Sequence, residues 1–168
     1  MNGDNMLIEL EGDLTKFDAK YLVHQCNCVT NRAAHLAKTM FTAFPWADIY
    51  SEREKIDYRN LPEEQKPGNI IIRKKDDKHV IAILGQVFPG SPKFPDSPID
   101  GIKAREKYFI DGLKKILEIK DLESIAFPDH IGCGAAGGNW EFYKKLIERF
   151  SIKSGEKVKT YIVKYIGD

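Results

Sequence analysis

The sequence has few cysteines, almost no net charge and no long hydrophobic run. Its three cysteines are odd in number and sparse, which argues against a disulfide framework and favours a reducing compartment. A net charge of +1 over 168 residues gives no reason to expect a nucleic-acid or membrane partner. No apolar run is long enough to span a bilayer, and the N-terminus lacks the basic and apolar segments of a signal peptide. We therefore expect one soluble domain over residues 1–168, cytoplasmic, or nuclear if the host is eukaryotic.

The cysteine pattern also bears on metal binding. Cys26 and Cys28 alternate at the end of an apolar run, but a zinc site needs four ligands. The chain groups no two further ligands near this pair, so we expect neither a metal nor another cofactor.

Short apolar runs alternate with helical patterns along the chain, and this alternation predicts the fold class. The central runs are continuously apolar, which is typical of a mostly parallel sheet covered by helices on both faces. We therefore expect an α/β protein with a three-layer α/β/α arrangement and a mixed sheet of about six strands. Strands are predicted at Met6–Leu10, Tyr21–Cys26, Asn69–Arg73, His79–Leu84, Ser124–Phe127 and Thr160–Tyr165, and helices at 33–44, at 102–117 and after Asn139.

The connecting segments carry further signals. Thr30 or Asn31 is a candidate N-cap for the first helix, and a helical turn is expected around Asp48 to Glu54. Residues 57–68 read as an irregular link. Residues 86–98 contain four prolines, which indicates an exposed loop whose length suits a lid over a binding site.

A glycine-rich loop follows the fifth predicted strand. Gly132, Gly134, Gly137 and Gly138 fall within seven residues, immediately before a helix start at Asn139. Such a loop lets the backbone approach a ligand, and free N–H groups at a helix start attract anions, so a phosphate group is the expected ligand. The spacing fits neither the lysine-bearing P-loop nor the dinucleotide fingerprint, and a plain turn remains the alternative.

Three separated segments resemble the macro domain, the ADP-ribose-binding module, over essentially the whole chain. They are the stretches 12–15 (Gly-Asp-Leu-Thr), 22–27 (Leu-Val-His-Gln-Cys-Asn) and 123–128 (Glu-Ser-Ile-Ala-Phe-Pro). Within that family, the stretch 24–28 is similar to the branch containing the yeast ADP-ribose 1''-phosphate phosphatase. The run Ile-Gly-Cys-Gly at 131–134 resembles the branch that removes ADP-ribose from glutamate.

The resemblance implies a role for particular residues. Asp13 would accept a hydrogen bond from the adenine amino group, and Asn27 would hold a hydroxyl of the distal ribose. The glycine loop would wrap the diphosphate through its N–H groups, and Trp140 and Phe88 would pack on adenine or ribose. The ligand-binding set is therefore Asp13, Leu14, Asn27, Gly132, Cys133, Gly134, Ala135, Ala136, Gly137, Gly138 and Trp140.

The chain also departs from the family pattern. Where many macro domains carry three glycines after the asparagine, this chain has Ala33, Ala34 and His35. Alanine resists positive φ, whereas His35 can direct an imidazole toward the ligand's 1'' position. In the glutamate-specific branch a lysine and an aspartate do the chemistry, but here Gln86 and Ala135 or Ala136 stand in their places, which argues against a lysine route. Lys93 in the lid is a substitute in principle.

The resulting prediction is an ADP-ribose-binding macro domain that hydrolyses ADP-ribose 1''-phosphate to ADP-ribose and phosphate. Such cleavage needs an activated water or nucleophile and a proton donor, and the candidates are His24, Asn27, His35 and Asp129, with His130 beside the last. Two alternatives remain: a hydrolase that removes mono-ADP-ribose from protein or nucleic acid, and a non-catalytic reader. The expected partners are ADP-ribose, its derivatives and ADP-ribosylated macromolecules, without sequence-specific binding of nucleic acid.

Overall fold

The computed structural model describes residues 7–54 and 56–166, and in this part six strands and three α-helices alternate along the chain. Met6, which the pattern placed in the first strand, lies outside the described residues. The strands are β1 (Leu7–Glu11), β2 (Tyr21–Cys26), β3 (Ile70–Lys75), β4 (Lys78–Leu84), β5 (Ser124–Pro128) and β6 (Lys159–Lys164), and the helices are α1 (His35–Ala43), α2 (Ile102–Leu117) and α3 (Trp140–Ser154).

The six strands form one mixed sheet with the order β1-β6-β5-β2-β4-β3. Every pair of neighbours is parallel except β3 and β4, which form an antiparallel hairpin. The hairpin pairing extends to Lys75 and Lys78, so its turn is only Asp76 and Asp77, tighter than the charged pattern predicted. Asp76 has a φ of 54°, the left-handed conformation that aspartate tolerates in such turns.

Two hydrophobic clusters cover the two faces of the sheet, which confirms the predicted three-layer α/β/α fold. On one face, Met40 and Phe41 of α1 pack against the sheet. On the other, Phe109 of α2 and Phe150 of α3 do so. The central strands β2 and β4 are buried almost throughout, as their continuous apolar runs predicted.

The segment before α1 differs from the sequence expectation. The N-cap of α1 is Ala34, without a side-chain hydrogen bond, and the helix begins at His35 rather than just after Thr30 or Asn31. Thr30 is held in a loop instead, since its N–H donates to Asn27 Oδ1 at 2.9 Å and its carbonyl accepts from Arg53 Nε at 2.8 Å. These bonds keep Thr30 from capping the helix.

The expected helical turn around Asp48 to Glu54 is a hydrogen-bonded turn and not a helix: the N–H of Arg53 donates to the carbonyl of Tyr50 at 3.3 Å. Asp48 Oδ1 accepts from the N–H groups of Tyr50 and Ser51, both at 3.1 Å, and holds the start of this turn. Short 3₁₀ turns lie at Pro45–Ala47, Tyr58–Asn60 and Glu63–Gln65. No helix of the described part is long and apolar enough to cross a membrane.

Candidate functional site

A cleft of about 310 Å³ opens where the parallel strands end, lined mainly by the loops that follow β2, β4 and β5 and by the start of α1. Parallel strands bring loops from distant parts of the chain together at this edge, which is where open α/β sheets bind ligands. The predicted site residues that line it are Asn27, His35, Asp129, Gly132, Cys133, Gly134, Ala135 and Ala136, and those that do not are Asp13, Leu14, His24, Gly137, Gly138 and Trp140.

The glycine loop after β5 offers several backbone N–H groups to the cleft. The N–H of Gly138 donates to the carbonyl of Gly132 at 3.0 Å, which folds the loop back on itself. The N–H groups that find no hydrogen-bond partner among the described residues are those of Gly132, Gly134, Ala135 and Ala136. All four residues line the cleft, and a group of unpaired N–H dipoles is suited to an anion such as a diphosphate.

The loop needs glycine at some of these positions for steric reasons. Gly132 has a φ of 74°, and an added Cβ would lie 2.8 Å from Tyr143 Cε2. A Cβ at Gly138 would lie 2.6 Å from the carbonyl oxygen of Gly132. Gly134 is different, because a Cβ there would meet no atom within 4 Å. A side chain at position 134 therefore fits the protein.

Gly137 and Gly138 do not line the cleft, contrary to the sequence expectation. The N–H of Gly137 donates to the carbonyl of Gly134 at 3.1 Å, so the N–H groups of both residues are used within the loop. A Cβ at Gly137 would lie 3.1 Å from Ser91 Cβ. These two glycines close the loop and make room for its neighbours, rather than contacting a ligand in the cleft.

Asn27 lies at the carboxyl end of β2 and is fixed by its surroundings. Its Oδ1 accepts from the N–H groups of Val29 at 3.1 Å and Thr30 at 2.9 Å, and its own N–H donates to the Tyr50 hydroxyl at 2.8 Å. Arg53 Nη2 donates to the Asn27 carbonyl at 2.8 Å. Within the described residues Nδ2 makes no hydrogen bond. It is available to donate to a ligand hydroxyl.

His35 lies at the cleft as the first residue of α1, in a strained backbone conformation. Its φ is 55°, in the left-handed region that glycine adopts readily. Ala34 has φ −142° and ψ 162°, which is ordinary extended backbone. The backbone strain therefore falls on His35, and the difficulty that the sequence predicted for alanine does not arise at Ala34.

Replacing His35 by glycine is expected to raise the free energy of unfolding by about 1 kcal/mol, the cost of a left-handed conformation for a residue with a Cβ. Urea denaturation would measure the change. Ala34→Gly is the matched control, because Ala34 is extended and gains nothing from glycine. Equal effects of the two substitutions would contradict the strain at His35.

His24 is placed in the core, which contradicts its predicted catalytic role. The side chain is fully buried, packs edge-on against Phe41 with ring centroids 5.3 Å apart, and does not line the cleft. Burial lowers the pKa of His24 to about 4, so the imidazole is neutral near physiological pH. A residue sealed from the cleft cannot transfer a proton to a ligand there.

Asp129 and His130 form a hydrogen-bonded pair in the cleft wall. Asp129 Oδ2 bonds His130 Nδ1, and the imidazole stacks on Trp140 with ring centroids 5.0 Å apart and an interplanar angle of 18°. His130 has a φ of 63°, and 56% of its side chain is exposed. This arrangement fixes the ring, and Nε2 makes no hydrogen bond to any of the residues that the structure describes. Trp140 supports the histidine and does not line the cleft, contrary to the expectation that it contacts the ligand.

Asp13 and Leu14 follow β1 and do not line the cleft. Asp13 Oδ1 accepts from the N–H of Thr15 at 2.9 Å and from its hydroxyl at 2.7 Å, so it caps the short 3₁₀ turn. Leu14 is buried in the core.

Tyr165 lies beside this turn, directly after the end of β6, and is 71% exposed. The N–H of Gly12 donates to the carbonyl of Lys164, which joins the two segments. No motif in the sequence singled out this exposed aromatic residue.

The thiol groups are unsuited to nucleophilic attack. Cys133 lines the cleft, but burial raises the pKa of its thiol to about 12. Burial likewise raises the pKa values of Cys26 and Cys28 to about 12. All three thiols therefore stay protonated, and the thiolate is the reactive form. The described residues contain no group of three or more His, Cys, Asp or Glu side chains placed to hold a metal ion.

Gln86, where the sequence resemblance predicted a lysine to be replaced, lines the cleft as a largely buried amide. Its Oε1 accepts from Gln25 Nε2 at 2.7 Å, and its Nε2 donates to the carbonyl of Phe88 at 2.8 Å. This linked pair tethers the start of the lid. Lys93 and Phe88 lie outside the cleft lining, and Lys93 Nζ sits 5.9 Å from the ring centroid of Phe94.

Arg105 and Asp100 form a buried ion pair that was not predicted from the sequence. Arg105 Nη2 lies 2.6 Å and Nε 3.0 Å from the carboxylate oxygens, and the two residues are 3% and 7% exposed. A buried arginine is rare unless paired, but periodicity alone assigns Arg105 to a helix face without revealing its partner. The available signal was the position of Asp100, which follows the proline-rich loop and lies five residues before Arg105.

Comparison with known proteins supports the fold assignment. No protein-family model matches the sequence, and no curated protein matches it. Solved structures do: the Thermus aquaticus DarG macrodomain, with 22% identity and a TM-score of 0.64, is matched over 96% of this chain and 99% of its own. Thermosipho africanus DarTG in complex with ADP-ribose, with 18% identity and a TM-score of 0.69, is matched over 98% of this chain and 43% of its own.

A third match is a Trypanosoma brucei macrodomain in complex with ADP-ribose, with 12% identity and a TM-score of 0.63 over 99% of this chain and 66% of that one. The three-layer fold with a cleft at the strand ends defines an α/β protein with a candidate ligand site at that edge of the sheet. More specifically, the chain has the macrodomain fold, as the resemblance in sequence predicted.

Proposed function

We propose that the chain acts as one macrodomain and binds ADP-ribose in this cleft. The observation that carries the proposal is the set of four unpaired N–H groups in the glycine loop, which share one cleft with the available Nδ2 of Asn27. Two structures with the same fold are complexes with ADP-ribose. The described lining contains one arginine, Arg32, and no lysine, so the diphosphate would be held mainly by backbone dipoles.

The order of the strands suggests how the ligand would lie. β1, β6, β5 and β2 are neighbours in that order, so Asp13, the glycine loop and Asn27 follow one another along the edge of the sheet. Adenine would lie beside Asp13 and Tyr165, the diphosphate on the glycine loop, and the distal ribose at Asn27. Asp13 Oδ2 makes no hydrogen bond among the described residues and can accept one from the adenine amino group.

We further propose that the chain hydrolyses ADP-ribose 1''-phosphate to ADP-ribose and phosphate. Water would attack the phosphorus atom, the bond from phosphorus to the ribose oxygen would break, and that oxygen would take a proton from a side-chain donor. The attacking water would lose one proton, which would return to the same donor as the phosphate leaves. His35 is the proposed donor, because it lies on the same loop as Asn27 and lines the cleft. Asp129, paired with His130, would assist from the diphosphate side. His24 has no part in this scheme.

Two other functions use the same cleft. Removal of ADP-ribose from a protein or nucleic acid would need a water held near the distal ribose. A reader that binds without turnover is favoured by Gln86, which is locked in an amide pair, and by the protonated thiol of Cys133. The sparse free cysteines support the cytoplasm as the proposed compartment.

Calorimetry and turnover assays test these proposals together. Titration with ADP-ribose is expected to show saturable binding, and incubation with ADP-ribose 1''-phosphate is expected to release phosphate. His35→Gly should lower the release of phosphate at least tenfold while raising stability, whereas loss of binding is not expected. Absence of binding would refute the site. Binding without turnover of the phosphate ester, a mono-ADP-ribosylated peptide or ADP-ribosylated DNA would establish the reader instead.

A further inference from the structure

Arg105 is a buried cation on α2 that contacts two loops of the cleft at once. Besides its ion pair with Asp100, its Nη1 donates to the carbonyl of Gly90 at 2.7 Å and to that of Ala136 at 3.2 Å. Its Nη2 donates to the carbonyl of Phe88 at 3.1 Å. One guanidinium therefore joins the lid, residues 86–98, to the glycine loop. Only a planar fork with several donors makes all these bonds.

Asp100 completes the connection from the other end of the lid. Its Oδ1 accepts from the N–H of Val87 at 2.6 Å, and its Oδ2 accepts from the N–H of Phe88 at 3.1 Å. The carboxylate thus binds the start of the lid and Arg105 together. The lid also touches the glycine loop directly, where the missing side chain of Gly137 leaves room for Ser91.

The bond to Ala136 bears on anion binding. Arg105 Nη1 binds the carbonyl oxygen of Ala136, and the N–H of the same peptide unit, that of Gly137, donates to the carbonyl of Gly134, so this peptide is fixed at both ends. The N–H groups of Ala135 and Ala136 have no partner in the described residues and belong to cleft-lining residues. Because Asp100 neutralises the guanidinium, Arg105 acts on a ligand through the backbone and not as a direct counter-ion.

We propose that Arg105 is a positioning residue that orients the glycine loop for the diphosphate and couples the lid to it. The proposal rests on the proposed binding of ADP-ribose. Its consequence is that a ligand on the glycine loop orders residues 86–98 as well, although Arg105 does not touch the ligand. Replacing the Arg105 guanidinium by another cation with fewer donors should keep the charge but break the connection between the lid and the glycine loop.

Arg105→Lys is the test variant, because lysine keeps a charge beside Asp100 but cannot make the forked bonds. The expected result is at least a tenfold loss of ADP-ribose affinity by calorimetry. Amide hydrogen exchange is expected to show that ADP-ribose protects both residues 86–98 and the glycine loop in the wild type, but only the glycine loop in the saturated variant. Arg59→Lys is the matched control, since Arg59 pairs with Asp57 on the surface.

The ligand-free proteins separate the proposal from the proposed function. Without ligand, Arg105→Lys is expected to speed exchange at least tenfold at the bonded N–H groups of Val87 and Phe88 in the lid and of Gly137 in the glycine loop, and Arg59→Lys is expected to leave all three unchanged. If the wild type fails to bind ADP-ribose, the proposed function is refuted. The exchange rates of the ligand-free proteins still test whether Arg105 couples the lid to the glycine loop. Equal exchange in wild type and Arg105→Lys would overturn the role of Arg105. Should Arg105→Lys not fold, Asp100→Asn tests the lid side of the network, because it weakens the carboxylate that accepts from the N–H groups of Val87 and Phe88. Unchanged exchange at those two N–H groups would then overturn the coupling.

Discussion

Gly134→Glu is expected to weaken ADP-ribose binding at least about a hundredfold, because like charges placed together cost several kcal/mol and each tenfold of affinity is about 1.4 kcal/mol. A Cβ at position 134 meets no protein atom within 4 Å, so the side chain has open space and the fold should tolerate it. The residue lines the cleft between unpaired N–H groups, which is where the proposed diphosphate lies. The carboxylate would therefore repel the anion from its own site.

Gly134→Gln is the matched control, with the same size and no charge. We expect it to cost less than tenfold in affinity, so that most of the loss in Gly134→Glu is electrostatic. Raising the salt concentration should recover part of the binding of the glutamate variant, because salt screens exposed charges. Equal affinities of wild type and Gly134→Glu by calorimetry would remove the diphosphate from this loop, whatever the fate of the remaining site.

The central sheet was predictable because its strands are uniformly apolar. The predicted bounds of β2 agree with the structure, and the predicted β5 differs by a single residue. A strand that is buried on both faces leaves a continuous apolar run, and parallel strands with helical crossovers leave little choice of topology. The glycine loop after β5 was equally visible, since glycine is required at Gly132 by a positive φ and a close contact.

The tertiary partners in the site could not be predicted in the same way. Which glycines face the cleft depends on how the loop folds back, and one of the contacts that constrain it is with Ser91, which is remote from Gly137 in the sequence. The ion pair of Arg105 and Asp100 acts through carbonyl groups, which carry no signal in the sequence. Periodicity shows that a residue is buried on a helix or strand but not what it contacts there.

The alternation of side chains along β2 explains why the motif around His24 gave a wrong prediction of a catalytic role. Side chains alternate between the two faces of a strand, so His24 and Cys26 share one face and Gln25 the other. The first two pack with α1, and Cys26 Sγ lies 3.6 Å from His24 Nδ1. Gln25 instead lies on the cleft. In this chain the motif residues His24 and Cys26 serve the core.

A buried neutral histidine makes the stability of this protein sensitive to acid. The pKa of His24 is lowered to about 4 by burial, below its ordinary value of 6.5. Between these values the unfolded chain binds a proton at His24 that the folded chain does not. The contribution of the neutral His24 to the free energy of unfolding is therefore complete above about pH 6.5, and it is lost progressively as the pH falls toward 4. From about pH 8 to about pH 5 this loss amounts to about 2 kcal/mol.

His24→Leu is expected to remove this loss, because leucine fills a similar space and does not titrate. The free energy of unfolding of the variant minus that of the wild type should rise by about 2 kcal/mol between about pH 8 and about pH 5, measured by urea denaturation at both. Taking the difference cancels the titration of other groups. ADP-ribose affinity and any turnover should stay within about twofold, because the residue is sealed from the cleft. A pH-independent difference would contradict the buried neutral imidazole, and lost turnover in a folded variant would restore His24 to the reaction.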